Sequence, residues 1–297
     1  MDVPSFAASV AAEHELAAAL ERGDVLHYPV CPFPLPEGDD LEFLLAQRMA
    51  SRAHKNIGFD PTTGRVASFR GGSTGQEKRL HAIFKSFSET TTRWLAELFP
   101  HYAAGWRFDR VSYRPEEEAT RKLRRMARND LLHVDAFPSR PTNGARILRV
   151  FANINPTEPR IWVTSDPFAR LLDRFGREVG LPREGGPSLL HRVRESVLGL
   201  FQPSRRRRSA YDSFMLRMHN YLKWNDEFQQ TTPKRYWSFQ PGSAWLVITD
   251  TASHAVLRGR FALEHSYFLS PLTLTLPEES PPALLRHACG REVLRAA

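Results

Sequence analysis

From Arg107 onward the chain breaks into short runs dense in Val, Ile, Phe, Tyr and Trp, each bounded by Pro, Gly, Asn or Asp. They are Arg107 to Tyr113, Arg146 to Ile154, Ile161 to Thr164, Ala244 to Thr249, Ala255 to Leu257 and Tyr267 to Thr275. β-Branched and aromatic residues suit a pleated, buried surface, so these runs predict strands. Several short strands with long connections suggest a sandwich or jelly roll. The first hundred residues read instead as helix. Ser5 is placed to cap a segment carrying Phe6, Val10, Ala17 and Leu20, and Asp39 or Asp40 to cap a second with Leu41, Leu44, Leu45 and Met49. From Gln76 to Leu98, the residues Leu80, Ile83, Phe84, Phe87, Trp94, Leu95 and Leu98 recur at helical spacing, which reads as a core-facing stripe. The four prolines between Pro29 and Glu37 predict an extended crossing segment.

Helical spacing returns from about Asp166 to Arg235, with Tyr211, Phe214, Met215, Met218, Tyr221 and Leu222 on one stripe. The layout expected is a single α+β domain over residues 1–297 with a mainly β core. A helical part, 1–105, packs on a core built from 106–165 and 236–280, and residues 166–235 form a helical insertion. Pro281 to Ala297 reads as a short helical tail.

Composition narrows the function. No window of 18 apolar residues exists, and Met1 to Leu20 carries Asp2, Glu13 and Glu15 without a basic leader, so a cytoplasmic protein is expected. Cys31 and Cys289 alone make neither a disulfide framework nor a thiolate zinc site. The 41 Lys and Arg against 33 Asp and Glu give a net charge of +8, which favours polyanionic partners. Basic residues cluster at Arg121, Lys122, Arg124, Arg125 and Arg128, and again at Arg205 to Arg208; a solvated face would look the same. No nucleic-acid-binding motif is present, so nucleic acid ranks last among the partners.

The string Leu132-His133-Val134-Asp135-Ala136-Phe137-Pro138 carries the chemistry. Two residues apart on an extended segment, an imidazole and a carboxylate point the same way and can share one metal ion. A hydrogen-bonded surface pair would have the same spacing. Pro241-Gly242 then leads into a strand-like run and on to His254. Two His and one carboxylate on one face leave coordination positions open, the facial triad of non-haem Fe(II) oxygenases, although His254 alone would read as a core histidine.

In that order, His133-x-Asp135, the strand Arg146 to Pro156 and His254 resemble the Fe(II)- and 2-oxoglutarate-dependent dioxygenases with a double-stranded β-helix (jelly-roll, cupin-like) core. Three strings are similar to the Kdo hydroxylases in particular: Leu132 to Pro141, Arg146 to Pro156 and Tyr211 to His219. Lys55-Asn56-Ile57 and the prolines around Phe33 extend the similarity over nearly the whole chain. The resemblance implies Fe(II) on His133, Asp135 and His254, with 2-oxoglutarate as co-substrate. It implies oxidative decarboxylation to succinate and CO2 coupled to hydroxylation of Kdo (3-deoxy-D-manno-oct-2-ulosonic acid) at carbon 3, in a lipid A precursor of lipopolysaccharide.

The far carboxylate of 2-oxoglutarate needs a buried cation. Arg149 is the first choice, with Arg146, Asn153 and Arg260 as further candidates. The chain departs from the family pattern at Arg260 and His265, where Gln is usual, and that lowers the standing of Arg260. Arg146 and Arg149 point to opposite sides of one strand, so one of them at most faces the metal. Arg125, Arg128 and Arg140 are the substrate-side candidates. The Arg205 to Arg208 run could rest on anionic lipid, making the enzyme peripheral on the cytoplasmic face of the inner membrane. Trp162 and Trp245 read as core, and His219 as a residue facing water. The alternatives are a 2-oxoglutarate oxygenase with another substrate, or a non-enzymatic basic module.

Overall fold

The computed structural model describes residues 10–51, 54–71, 73–181 and 208–294. The Ser5 cap and Arg205 to Arg207 lie outside them. In chain order the elements are α1 (Val10–Arg22), β1 (Leu26–Tyr28), α2 (Gly38–Ala46), β2 (Ile57–Phe59), β3 (Val66–Ala67), α3 (Thr74–Leu98), α4 (Pro100–Ala103) and β4 (Arg107–Arg114). Then come β5 (Arg146–Asn153), β6 (Arg160–Pro167), α5 (Phe168–Phe175), α6 (Ala210–Trp224), α7 (Asp226–Thr231), β7 (Arg235–Phe239), β8 (Ala244–Ile248), β9 (Ala252–Arg258), β10 (Ala262–Leu269) and α8 (Pro281–Cys289).

Two antiparallel sheets result. The larger runs β1-β8-β5-β10-β4-β2-β3 and the smaller β7-β6-β9. This is the jelly-roll arrangement expected, with helices on the outside. Strand β5 shows how the sequence builds it. Leu148, Val150 and Ala152 enter a core shared with α1 and α3, while Arg149 and Phe151 face the interior between the sheets. Both faces are covered, so the strand reads as almost continuously apolar.

Helix α3 seals the outer face of the larger sheet. Ser73 Oγ accepts a hydrogen bond from the Gln76 backbone N–H at 3.2 Å, so the helix begins at Thr74, ahead of the expected Gln76. Its stripe Leu80, Ile83, Phe84, Phe87 and Leu95 is buried, as the spacing predicted. Each such side chain contributes about 1.5–3 kcal/mol through burial. A second core joins α5, α6, α7 and α8 to the outer face of the smaller sheet through Leu171, Phe214, Met218, Phe228 and Leu285. A third plugs the barrel interior, where the rings of Phe239 and Trp245 stack at 3.9 Å and those of Phe151 and Trp245 at 5.1 Å. Trp245 is core, as expected.

Several sequence expectations need correction. Short strands β1, β2 and β3 interrupt the helical first hundred residues and extend the larger sheet. Helix α2 is entered from Glu37, with Asp39 and Asp40 in its first turn, where the helix dipole favours carboxylates. It ends at Ala46, so Met49 lies outside it and bridges Phe69. Strand β10 starts at Ala262 and stops at Leu269 instead of running from Tyr267 to Thr275. Its polar residues Glu264, His265 and Ser266 look like loop, yet all three are buried.

Candidate metal centre

His133 joins β9 through a reciprocal pair of backbone hydrogen bonds. His133 N donates to His254 O at 3.1 Å and His254 N to His133 O at 2.9 Å. Directly paired residues of an antiparallel ladder put their side chains on the same face, which brings the two imidazoles to 4.7 Å between ring centroids. Asp135 N donates to Thr249 O at 2.8 Å, which extends the segment and returns Asp135 to the same side. Candidate ligand atoms of His133, Asp135 and His254 all lie within 4.8 Å of one another; the two-residue spacing predicts the shared face of His133 and Asp135, and the pairing with β9 brings in His254.

The opposite edge of this segment is satisfied by a side chain. Leu132 N donates to Gln229 Oε1 at 2.9 Å, and Gln229 Nε2 donates to Leu132 O at 2.9 Å. Gln229 thus takes the place of a missing neighbouring strand. Nothing in its sequence surroundings marks it for this role, because it comes from α7.

Ring orientation suits a metal. His133 Nδ1 is 2.6 Å from Leu131 O and His254 Nδ1 is 2.9 Å from Ala252 O. A ring nitrogen beside a carbonyl carries the proton, which leaves each Nε2 lone pair available for coordination. Burial pushes the His133 pKa well below the usual range, and the charges of Lys223, His254 and His219 push the same way; burial also lowers His254. Both rings are therefore neutral, the form that binds metal. Burial would raise the Asp135 carboxyl, but Arg149, His254 and His133 outweigh it and hold the group well below the carboxylate range. Asp135 Oδ2 is buried without a hydrogen bond, though Arg149 Nη2 comes within 2.8 Å of it. Two neutral imidazoles and a carboxylate with an unused oxygen fit a divalent iron ion.

These groups open into a cavity of about 360 Å³ between the sheets. Trp162 lines it, stacked on the His254 ring at 5.5 Å, so it is a wall of the site as well as core. Glu264, unmarked in the sequence, organises the cationic wall. It accepts from Arg149 Nη1, from Arg114 Nη2 at 2.5 Å and from Ser266 Oγ at 3.0 Å. Burial opposes its ionisation, but Arg149 and Arg114 hold its pKa down at about 2. Between β4 and β10 a bulge leaves Asp109 and Arg110 together opposite Ser266, and both line the cavity. Asp109 pairs with Arg140, whose guanidinium lies 4.6 Å from the centroid of Phe137. Lys55 and Lys223 also line the cavity.

Most of the other candidates lie elsewhere. Arg146 is buried on the opposite face of β5, paired with Asp250 at 2.8 Å. Asn153 donates to Glu158 O and Phe239 O, organising the turn at the end of that strand. Arg260 sits in the β9–β10 turn over the Phe261 ring and lines a separate surface hollow with Arg48 and Arg121. None of these three lines the cavity, because strand alternation or a turn carries each away from it. Arg125 pairs with Asp226 and Arg128 with Asp130, outside the lining, whereas Arg140 is part of it. His219 is not on the outer surface but lines the same cavity. Its Nδ1 is 2.7 Å from Val134 O, its ring is 5.0 Å from that of His133, and burial lowers its pKa to about 4.

Comparison with known proteins agrees with this geometry. An apo structure of the Kdo hydroxylase KdoO, described as a non-haem Fe(II) α-ketoglutarate-dependent dioxygenase, superposes with a TM-score of 0.86 at 33% identity over 99% of this chain and 97% of that one. KdoO in complex with cobalt(II) gives 0.85 at 31% identity over 100% and 98%. KdoO with α-ketoglutarate and Fe(III) gives 0.82 at 32% identity over 99% and 96%. No curated protein matches. The model of the 3-deoxy-D-manno-oct-2-ulosonic acid (Kdo) hydroxylase family matches residues 6–292, and the chain therefore belongs to that family.

Proposed function

We propose that this protein is an Fe(II)/2-oxoglutarate-dependent hydroxylase of Kdo, acting at carbon 3 of the sugar on a lipid A precursor. The observation that carries the reading is the buried, neutral His133/His254 pair with Asp135, opening onto a cavity walled by cations. Iron with 2-oxoglutarate and O2 supplies the oxidising power; the protein supplies position, charge and exclusion of water. His133, Asp135 and His254 would hold the metal. Arg149 is the residue we assign to the far carboxylate of 2-oxoglutarate. Its Nε is buried without a partner, a donor ready for an anion, while its Nη1 and Nη2 are held by Glu264 and Asp135. Glu264 keeps that guanidinium fixed on the cavity side of β5. Phe137 lines the cavity, with Arg140 4.6 Å and Arg149 5.7 Å from its ring centroid.

The experiment is anaerobic reconstitution with Fe(II), followed by an O2-dependent succinate assay with and without Kdo-bearing lipid A precursor. Wild type should give succinate together with a lipid heavier by one oxygen, and His133→Ala neither. Succinate without a change in the lipid would retain the oxygenase and reject the substrate.

We also propose peripheral contact with anionic lipid at the cytoplasmic face of the inner membrane. Among the described residues no helix is long and apolar enough to cross a membrane. Trp224 is 61% exposed one residue beyond the cavity-lining Lys223, and the Arg125 guanidinium lies 5.0 Å from its ring centroid, near the exposed Lys122 and Arg124. Trp favours the membrane interface, and each basic residue near an anionic surface contributes about 1 kcal/mol. Flotation on phosphatidylglycerol-containing vesicles should fall for Trp224→Ala and for a four-Ala replacement of Arg205 to Arg208; undiminished flotation of both would reject the idea.

A further inference from the structure

The charges lining the cavity do not all find partners. Arg149 is met by Asp135 and Glu264, Arg114 by Glu264, and Arg140 by Asp109. Arg110 has no carboxylate within 4.0 Å among the described residues, but it is exposed and water can serve it. Lys55 and Lys223 are different. Lys223 is buried, and its Nζ donates only to the backbone carbonyls of Arg128, at 2.7 Å, and Met126, at 3.2 Å. Lys55, half-buried, makes one long contact of 3.4 Å to Asn129 Oδ1. No carboxylate comes within 4.0 Å of either among the described residues. An ammonium withdrawn from water with no carboxylate in contact is costly, so two on one cavity wall, with Asp135 acting on both only from beyond contact distance, describe a site with room for an anion.

We infer that Lys55 and Lys223 form the seat for the carboxylate of the sugar acid substrate, separate from the arginine that anchors 2-oxoglutarate. This rests on the Kdo hydroxylase reading above. Two observations separate the seats. The metal ligand His254 stands on β9 of the smaller sheet, and Arg149 and Glu264 stand on the interior strands β5 and β10 of the larger one, so the co-substrate site belongs to the barrel itself. Lys55 instead precedes the outlying strand β2, and Lys223 closes the insertion helix α6, so the pair is contributed by segments added around the barrel. Each lysine is also held in place. Arg121 Nη2 donates to His54 O at 2.5 Å beside Lys55, and the C-terminal turn of α6 favours a cation at Lys223. Burial, followed by the charge of Lys55, lowers the Lys223 pKa to about 8, as expected for two ammonium groups sharing a wall.

The test uses the full chain with Fe(II), a Kdo glycoside and its methyl ester, in wild type and Lys55→Met. Lys55 holds little of the fold together, so the variant should fold; Lys223→Met, which also frees two carbonyls, is checked by its melting curve. Wild type should prefer the acid to the ester, and in each variant KM for the acid should rise tenfold or more while KM for the ester stays unchanged, so that the preference collapses. The affinity for 2-oxoglutarate, titrated by calorimetry with Mn(II), should stay within twofold. An equal loss on acid and ester would assign the lysines to structure. A loss of 2-oxoglutarate affinity matching the loss on the acid would assign them to the co-substrate. Either overturns the inference, whereas wild type inert on both sugars overturns the Kdo reading beneath it and the inference with it.

Discussion

Replacing Gln229 by Ala tests whether the metal site depends on the α7 side chain that stands in for a strand. In the native protein Gln229 satisfies both Leu132 N and Leu132 O at 2.9 Å and also donates to Leu222 O at 2.8 Å. Leu132 is 1% exposed, so in the variant its backbone donor and acceptor lose their partners in a place water reaches poorly. Each buried group left unmade costs about 1–3 kcal/mol, which sets the expected loss of folding stability at about 2–4 kcal/mol after partial relaxation. The His133 backbone follows directly and is then held by its bridge to His254 alone, with Asp135 held by Thr249. Loosening a support of this kind lowers metal affinity by about 10- to 100-fold. Gln229→Glu keeps an acceptor for Leu132 N but has no donor for Leu132 O, so it should fall between Ala and wild type in stability at best. Urea unfolding and Co(II) titration measure the two effects. A variant that loses stability but binds Co(II) as wild type does would show that β9 alone sets the ligand geometry; a variant unchanged in both would refute the surrogate-strand reasoning.

Three further outcomes are expected. Arg149→Met should weaken 2-oxoglutarate by about 2–4 kcal/mol, roughly 30- to 1,000-fold, because a hydrogen-bonded charge partner is removed from a desolvated site; Arg149→Lys should recover only part of this, and calorimetric titration distinguishes them. Phe84→Ala should cost about 3–5 kcal/mol in unfolding free energy, since the side chain is fully buried under the larger sheet, without changing the metal stoichiometry. Lys223, lowered from 10.5 to about 8 in the fold, binds fewer protons folded than unfolded between those values, so its contribution to stability rises with pH across that window. The neighbouring charges that oppose or favour its ammonium are Lys55, Asp135, Asp130 and Arg128. Denaturant titrations of wild type and Lys223→Met should diverge in wild type's favour from pH 8 to 10, and parallel curves would contradict the lowered value.

Much of the site was legible because it obeys local periodicity. Two positions apart on an extended segment is the same face, so His133 and Asp135 could be paired without a structure. The same rule set Arg149 against Arg146 on β5, and helical spacing found the α3 stripe with its buried Phe84. Other features broke the patterns that make sequence readable. Glu264 and Ser266 are polar residues on a buried strand, where apolar ones are expected, so the sequence pattern starts β10 too late. His219 sits on an amphipathic helix in which its neighbours gave no sign that its face was covered.

The sequence by itself determined the β-rich character of the core with strands β4, β5, β6, β8 and β9, the metal-ligand types and the resemblance that joined them, because side-chain chemistry and period are properties of consecutive residues. Only the tertiary structure decided which charges meet. The pairing of Arg149 with Asp135 and Glu264, the β4 bulge that presents Asp109 to Arg140, the Gln229 clamp and the two lysines that no carboxylate contacts among the described residues all join segments far apart in the chain. Whether a buried charge has a counter-charge depends on distances of a few ångströms across the cavity, and these are fixed by the packing of sheets and insertion together.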